Sequence, residues 1–131
     1  IRQVPAYTNV LKIEFDENKK VITLTTPGSN KIVLSDDDKS ILLSDQNGNT
    51  VKLSDAGIAL DTPKDVKVTA KGKVTIDAVG EISLSSKADV KSAGLNVACE
   101  AQVGFTGKGN ATAELSASGQ TTVKGAMVMI N

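Results

Sequence analysis

The spacing of apolar positions along this chain changes near residue 50. Before that point, apolar pairs separated by one residue recur about every ten residues, and after it they recur about every eight. Such alternation predicts strands with one apolar face and one polar face. We therefore divide the chain into a longer-strand region, residues 1–50, and an eight-residue repeat region, residues 51–131. The pairs of the first region are Leu11/Ile13/Phe15, Ile22/Leu24, Ile32/Leu34 and Ile41/Leu43.

The repeat region has a simple eight-residue motif, which is clearest between residues 71 and 86. There Gly72 and Gly80 each precede an apolar pair by two residues, and a glycine lets the backbone turn tightly because it lacks a Cβ. A small residue follows each pair on the same face. After Val90 smaller residues replace many aliphatics, and we expect the rhythm to loosen and the fold to taper. The pairs are Val51/Leu53, Ile58/Leu60, Val66/Val68, Val74/Ile76, Ile82/Leu84, Leu95/Val97, Val103/Phe105, Leu115, Val123 and Val128/Ile130.

Turn signals separate the strands of the first region. They are Asp16-Glu17-Asn18, Pro27-Gly28-Ser29-Asn30 and Asn47-Gly48-Asn49. Asn47-Gly48 predicts a two-residue hairpin turn with positive φ at both positions. The acidic run Asp36-Asp37-Asp38 predicts a solvated turn.

A repeat this short predicts an all-β protein in which strands stack around an axis. One eight-residue strand cannot bury its own apolar face, and a single-chain solenoid needs roughly twenty or more residues per coil. Three chains that each supply one strand per level would complete a turn, which favours a homotrimeric, triple-stranded intertwined β-helix, a β-prism needle. Three successive repeats of one chain could also form one coil. In the trimer the axial core is Val51, Leu53, Ile58, Leu60, Val66, Val68, Val74, Ile76, Ile82 and Leu84.

Composition removes several function classes. Fifteen basic and fifteen acidic residues balance in the 131-residue chain, and with no basic patch we expect no nucleic-acid partner. Only Tyr7, Phe15 and Phe105 are aromatic, fewer than a globular core of this size normally uses. There is no apolar run long enough to span a bilayer and no signal-peptide pattern. The first residue, Ile1, indicates a fragment or a processed piece.

Candidate chemistry is sparse. The chain has no His, which excludes Ser-His-Asp and Cys-His arrangements, and one Cys does not make a zinc site. We expect no enzyme, metal or cofactor. The carboxylate pair Asp61 and Asp65 is expected on outer faces without a cleft, and the loop Asp45–Asn49 fits a hairpin better than a calcium loop, whose ligand spacing fails. Cys99 is interpreted as a small buried hydrophobe, with an axial ion or disulfide as the alternative.

Three stretches resemble the C-terminal needle of VgrG proteins, the valine–glycine repeat spikes of type VI secretion systems, which are related to the tail spikes of contractile phages. They are Asn30–Ile41, Asp45–Leu53 and Gly57–Leu60. The resemblance implies a trimeric, membrane-puncturing needle, joined to upstream tube and hub domains and transiently contacting the target cell envelope. Such a spike is assembled in the bacterial cytoplasm and then ejected. The histidine-bound axial iron of several phage needles cannot be carried over to a chain without His.

The C-terminal residues are candidates for partner binding. Met127 and Met129 alternate with an inward pair, and exposed methionines suit an adaptable docking surface, although a frayed strand end is the alternative. The resemblance implies that a PAAR-type tip protein docks there. The docking candidates are Met127, Val128, Met129, Ile130 and Asn131.

Two other functions remain possible at this stage. A phage fibre or adhesin segment would bind a cell-surface glycan, for which the chain offers few aromatic stacking residues. A carbohydrate-cleaving right-handed β-helix would need longer coils and an acidic groove.

Overall fold

The computed structural model describes residues 2–3 and 10–131, and of residues 2–3 the backbone alone. The described part is all-β, with seven strands in one antiparallel sheet and no helix. Consecutive strands are neighbours, so the sheet is a meander in the order β1 to β7. The strands are β1 (Arg2–Gln3), β2 (Lys12–Asp16), β3 (Val21–Thr25), β4 (Lys31–Ser35), β5 (Ser40–Ser44), β6 (Thr50–Ser54) and β7 (Gly57–Asp61).

The predicted turns of the first region are confirmed, and in most of them one residue adopts a left-handed conformation. Lys20, Ser29, Lys39 and Gly48 have φ between 49° and 86°, and each is the last or next-to-last residue of the loop before β3, β4, β5 or β6. The acidic run Asp36-Asp37-Asp38 lies in the exposed turn between β4 and β5, as predicted. In that turn the Ser35 hydroxyl accepts a hydrogen bond from the Asp38 amide at 3.0 Å.

The prediction of a two-residue Asn47-Gly48 turn is wrong. Five residues, 45–49, connect β5 to β6, and of Asn47 and Gly48 only Gly48 has a positive φ, of 86°. The Gly48 amide bonds the Asp45 carbonyl at 3.4 Å, and the Asp45 amide bonds the Asn49 carbonyl at 3.1 Å. Because Asp45 and Asn49 pair across the loop, residues 46–48 form the turn itself. A turn followed by one left-handed residue is the usual form of such a three-residue hairpin connection. The Asp45 side chain stabilises this loop by accepting four hydrogen bonds from Asn47 and Asn49.

The chain divides into two compact units, with the boundary between Ile76 and Asp77. The first contains the sheet, which continues through Asp61, and so Val51, Leu53, Ile58 and Leu60 lie in antiparallel strands. The division at residue 50 stays a prediction. From residue 62 onward the described chain contributes no strand to the sheet, and every residue from 63 to 131 is exposed.

The eight-residue repeat appears in the backbone as regularly spaced bends. In the first unit the chain bends at residues 63–64 and 71–72. In the second unit it bends at residues 79–80, 87–88, 95, 102–103, 110–111, 118–119 and 126. Gly72 and Gly80 lie in bends, as their positions predicted. We expected the repeat spacing to become irregular after Val90, and for the backbone this prediction is wrong. Bends continue at seven- or eight-residue intervals to residue 126.

Candidate self-association surface

Two rows of apolar side chains cover one face of the sheet. Antiparallel pairing places directly opposed residues on the same face, and the register carries each row across six strands. The first row is Ile13, Leu24, Ile32, Leu43, Val51 and Leu60. The second row is Phe15, Ile22, Leu34, Ile41, Leu53 and Ile58. We call these twelve residues the apolar sheet face.

The apolar sheet face has no cover within the described chain. Among the described residues no hydrophobic side chain is buried, and the one buried residue is Ser35, which is 6% exposed. Ile13, Phe15 and most other residues of the two rows are near 40% exposed, while Ile58 and Leu60 on β7 exceed 70%. Covering a half-exposed aliphatic side chain contributes about 1 kcal/mol, so covering twelve contributes about 10 kcal/mol per chain. That amount is comparable to the whole stability of a typical domain, about 5–15 kcal/mol.

The opposite face of the sheet is mainly polar. It carries hydroxyl and charged residues such as Thr23, Ser44 and Lys52, and on β2 the side chains of Lys12 and Glu14 form an ion pair. Antiparallel sheets commonly have one face against a core and the other toward water. The contrast between the faces identifies the apolar sheet face as the one that needs a partner.

A groove of about 660 Å³ lies along one end of the apolar sheet face. Leu24, Ile32 and Leu43 of the first row line it, and so does Val66 of the segment after β7. That segment lies beside the sheet end because the Thr62 hydroxyl donates to the Asn49 side-chain oxygen. Asp61 and Asp65 also line the groove, which corrects the expectation that no cleft adjoins them. Both carboxylates remain exposed.

Asp45 organises the turn beside this groove. Its Oδ1 accepts hydrogen bonds from the amides of Asn47 at 2.9 Å and Asn49 at 2.8 Å. Its Oδ2 accepts from the side-chain amides of the same two residues, at 3.0 and 2.8 Å. Hydrogen bonds from the Asn47 and Asn49 side chains, together with the Asn49 amide, lower the pKa of Asp45 from 3.8 to about 2. Both carboxylate oxygens accept hydrogen bonds from within the loop, which fits the predicted hairpin.

The bends define which side chains share a face in the repeat region. Counting from the last residue of each bend, most second and fourth positions are apolar, as in Val74/Ile76 and Ile82/Leu84. The exceptions are Ser92, Gly107 and Thr121. From the bend at residues 71–72 onward, the residue directly before each bend is small. These small residues are Ala70, Ala78, Ser86, Gly94, Ala101, Gly109, Ala117 and Gly125. Alternation then directs the first, third and fifth positions to the other face.

This phase corrects two of the predicted pairs. Leu95 and Val103 lie in bends and are 100% and 103% exposed, so they do not pair with Val97 and Phe105. The second and fourth positions of that repeat are instead Val97 and Cys99. Cys99 is a free cysteine and is exposed in the single chain. Cys99 therefore occupies the same position of its repeat as Ile76 does. The period of the small residues before the bends is the sequence signal that could have found this phase.

The predicted axial core stays a prediction. Its ten residues lie on the apolar sheet face or at the second and fourth positions of the repeats. Val51 is half-buried and the other nine are 38–79% exposed in the single chain. The structure thus brings the first four together across β6 and β7, and it places the other six at two repeat positions, the second and the fourth.

The last repeat differs from those before it. In earlier repeats the outward first and third positions hold charged, polar or very small residues, for example Gln120 and Thr122. In the last repeat these positions are Met127 and Met129, which are 79% and 81% exposed. Val128 at the second position is 50% exposed. Both faces of this repeat are therefore apolar.

Among the described residues, no group of three or more His, Cys, Asp or Glu is arranged to bind a metal ion. None of the described residues belongs to a helix that could cross a membrane.

Part of the chain matches a known protein family. Residues 21–84 match the family model of the phage baseplate V C-terminal trimerisation domain. No curated protein matches the chain. The matched segment contains β3 to β7 and the first repeats after the sheet, and so it includes most of the apolar sheet face. The matched domain is by its description a structural one. The match supports self-association as a trimer and a structural role at the C-terminus of a tail or baseplate spike.

Proposed function

We propose that this chain is the trimeric, intertwined β-helical needle of a contractile injection spike, of the VgrG or phage tail type. The observation that carries the proposal is the uncovered apolar sheet face inside the segment that matches a trimerisation domain. Two further copies would cover that face and provide partners for the unpaired segments of the repeat region. The function is mechanical, since strands paired between chains resist bending through many backbone hydrogen bonds at once.

The finer part of the proposal concerns where the needle works. It belongs to a type VI secretion spike, is assembled in the bacterial cytoplasm, is joined to upstream tube and hub domains, and punctures a target envelope after ejection. The resemblance of Asn30–Ile41 and the following stretches to VgrG needles supports this assignment. A PAAR-type tip protein docks on Met127–Asn131, and the apolar outward positions of the last repeat support that site.

The test is the solution mass of the chain by sedimentation equilibrium. We expect about three times the 13.6 kDa chain mass. Ile76→Asp should abolish the trimer, because three carboxylates would be enclosed around one axis without partners. The control is Thr75→Asp, the same new charge one residue away on the outward face, and it should leave the mass unchanged.

A monomeric wild-type chain would reject the proposal and favour a single-chain solenoid. A normal trimer from Ile76→Asp would reject the inward assignment of the second and fourth repeat positions.

A further inference from the structure

The Asn47-Gly48 pair in the loop between β5 and β6 has a reactivity that its place in a turn does not use. The backbone nitrogen of the residue after an asparagine can attack the asparagine side-chain amide. A glycine at that position leaves the path open, because it has no Cβ. Of the asparagines in this chain, Asn47 alone precedes a glycine, and it is exposed to water.

The fold holds the attacking nitrogen of Gly48 weakly. Its hydrogen bond to the Asp45 carbonyl is 3.4 Å long, beyond the range of about 2.7–3.2 Å for well-formed N–H···O bonds. The matched comparison is the Asn18-Lys19 pair in the turn between β2 and β3. There the Lys19 amide donates to Asp16 Oδ1 at 3.1 Å, and its side chain crowds the same path.

Two other asparagines, Asn30 and Asn49, have both ends of the side-chain amide held in place. The Asn30 nitrogen donates to the Thr26 hydroxyl at 3.1 Å, and its oxygen accepts from the Gln46 amide at 3.1 Å. The Asn49 side chain is likewise bonded through its nitrogen and its oxygen. Neither side chain can turn toward the next backbone nitrogen without breaking two hydrogen bonds.

From these contacts we infer that Asn47 is a site of spontaneous deamidation and that its conversion opens the loop 45–49. The Gly48 nitrogen forms a bond to the side-chain carbonyl carbon of Asn47. The bond from that carbon to Nδ2 breaks, and Nδ2 leaves as ammonia with the proton of the Gly48 amide. Water then opens the five-membered imide ring and gives aspartate or isoaspartate at residue 47, with no oxidant or reductant required.

The product disturbs the hydrogen bonds that stabilise the loop. Asn47 Nδ2 donates to Asp45 Oδ2 at 3.0 Å, and conversion replaces this donor with a second carboxylate, so that attraction becomes repulsion. Isoaspartate also adds one backbone atom to a turn whose ends are joined by the 3.1 Å bond between Asp45 and Asn49. Because the loop lies beside the groove, its opening loosens one end of the apolar sheet face.

The site can be tested by incubating the full-length protein in mildly alkaline buffer and following each asparagine by peptide mass spectrometry. We expect Asn47 to convert to a mixture of aspartate and isoaspartate while Asn18, measured in the same digest, keeps its amide. Conversion of Asn47 no faster than that of Asn18 would overturn the assignment of the site.

The effect on the loop is tested separately with Asn47→Asp, which reproduces the aspartate product. Its matched control is Asn18→Asp, which adds the same charge but keeps the 3.1 Å bond from the backbone amide of residue 18 to Asp16 Oδ1. We expect Asn47→Asp to melt at a lower temperature than wild type and Asn18→Asp to melt close to it. Equal melting temperatures of the two variants would overturn the opening of the loop. Neither measurement requires the proposed trimer, so their failure and the failure of the proposed function are distinguishable.

Discussion

At the scale of single residues, Asp45 has the side chain with the most hydrogen bonds among the described residues. Its carboxylate accepts four hydrogen bonds from Asn47 and Asn49, and these bonds stabilise the charged form. The loop lies beside the groove at the end of the apolar sheet face, so its shape affects the end of the surface that we propose joins three copies. The Asp45 side chain thus links Asn47 and Asn49 in a five-residue loop that contains the left-handed Gly48.

The lowered pKa of Asp45 makes a testable contribution to the pH dependence of stability. A carboxyl group whose pKa falls from 3.8 to about 2 on folding stabilises the fold above pH 3.8, and that stabilisation is lost as the pH falls toward about 2. We expect Asp45→Asn to melt at a lower temperature than wild type at pH 7, and we expect this difference to shrink between pH 4 and pH 2. Thermal melts followed by circular dichroism at several pH values measure both.

Asp37→Asn is the matched control for this change. Asp37 is exposed in the turn between β4 and β5, and the substitution removes the same charge. We expect its melting temperature to stay close to that of wild type at each pH. A difference between wild type and Asp45→Asn that is constant from pH 7 to pH 2 would contradict the role given to the Asp45 carboxylate.

At the scale of elements, the repeats depend on small residues directly before each bend. Gly109 shows why, since a Cβ built there would lie 1.9 Å from the Thr112 carbonyl oxygen. Backbone atoms cannot move aside as the end of a flexible side chain can. The bend at residues 110–111 therefore requires glycine, whereas other bends accept Ala or Ser at the corresponding position.

We expect Gly109→Ala to destabilise the protein by about 1–3 kcal/mol, the usual cost of forcing an extra carbon into an occupied space. Gly104→Ala is the control, because nothing lies within 4 Å of an added Cβ there. Chemical denaturation of both variants under the same conditions gives the comparison. Equal stability of the two variants would show that the bend tolerates a side chain at residue 109.

At the scale of the whole molecule, the sheet and the repeats would use partner chains of the proposed trimer for different reasons. The sheet forms its strand pairs within the chain but leaves its apolar face uncovered. The segments from residue 62 onward join no sheet in the described chain, so in the proposed trimer other chains would pair with their backbone groups and cover their apolar positions. Association would thus complete a surface in one region and the fold itself in the other.

The proposed docking of a tip protein belongs to this scale as well. We expect the double substitution Met127→Asp/Met129→Asp to keep the trimer mass and to weaken binding of a purified PAAR-type protein by at least about tenfold, which corresponds to about 1.4 kcal/mol. Isothermal titration calorimetry with the assembled trimer measures the affinity. Gln120→Asp/Thr122→Asp, at the equivalent positions of the preceding repeat, should bind like wild type. Unchanged binding by the methionine variant would remove these side chains from the proposed site.

Several features followed from the sequence because they depend on local chemistry. The strands around Ile22, Ile32 and Ile41 and the turns between them were predictable from alternation and from turn-forming residues. The phase of the repeats after Val90 was not predictable in this way. Leu95 and Val103 are typical strand residues, and yet they lie in bends. Hydrophobicity alone does not distinguish an exposed bend residue from an inward one.

The sequence by itself determined the all-β class, the eight-residue repeat and the lack of histidine chemistry, because these depend on residue type and spacing. The tertiary structure alone decided that strand pairs carry twelve apolar residues onto one face, since register is a relation between strands. It also decided that Cys99 shares the repeat position of Ile76, since that phase depends on where the backbone bends. Local sequence specifies which positions alternate between apolar and polar residues. Only the folded backbone specifies which residues of neighbouring strands lie opposite one another.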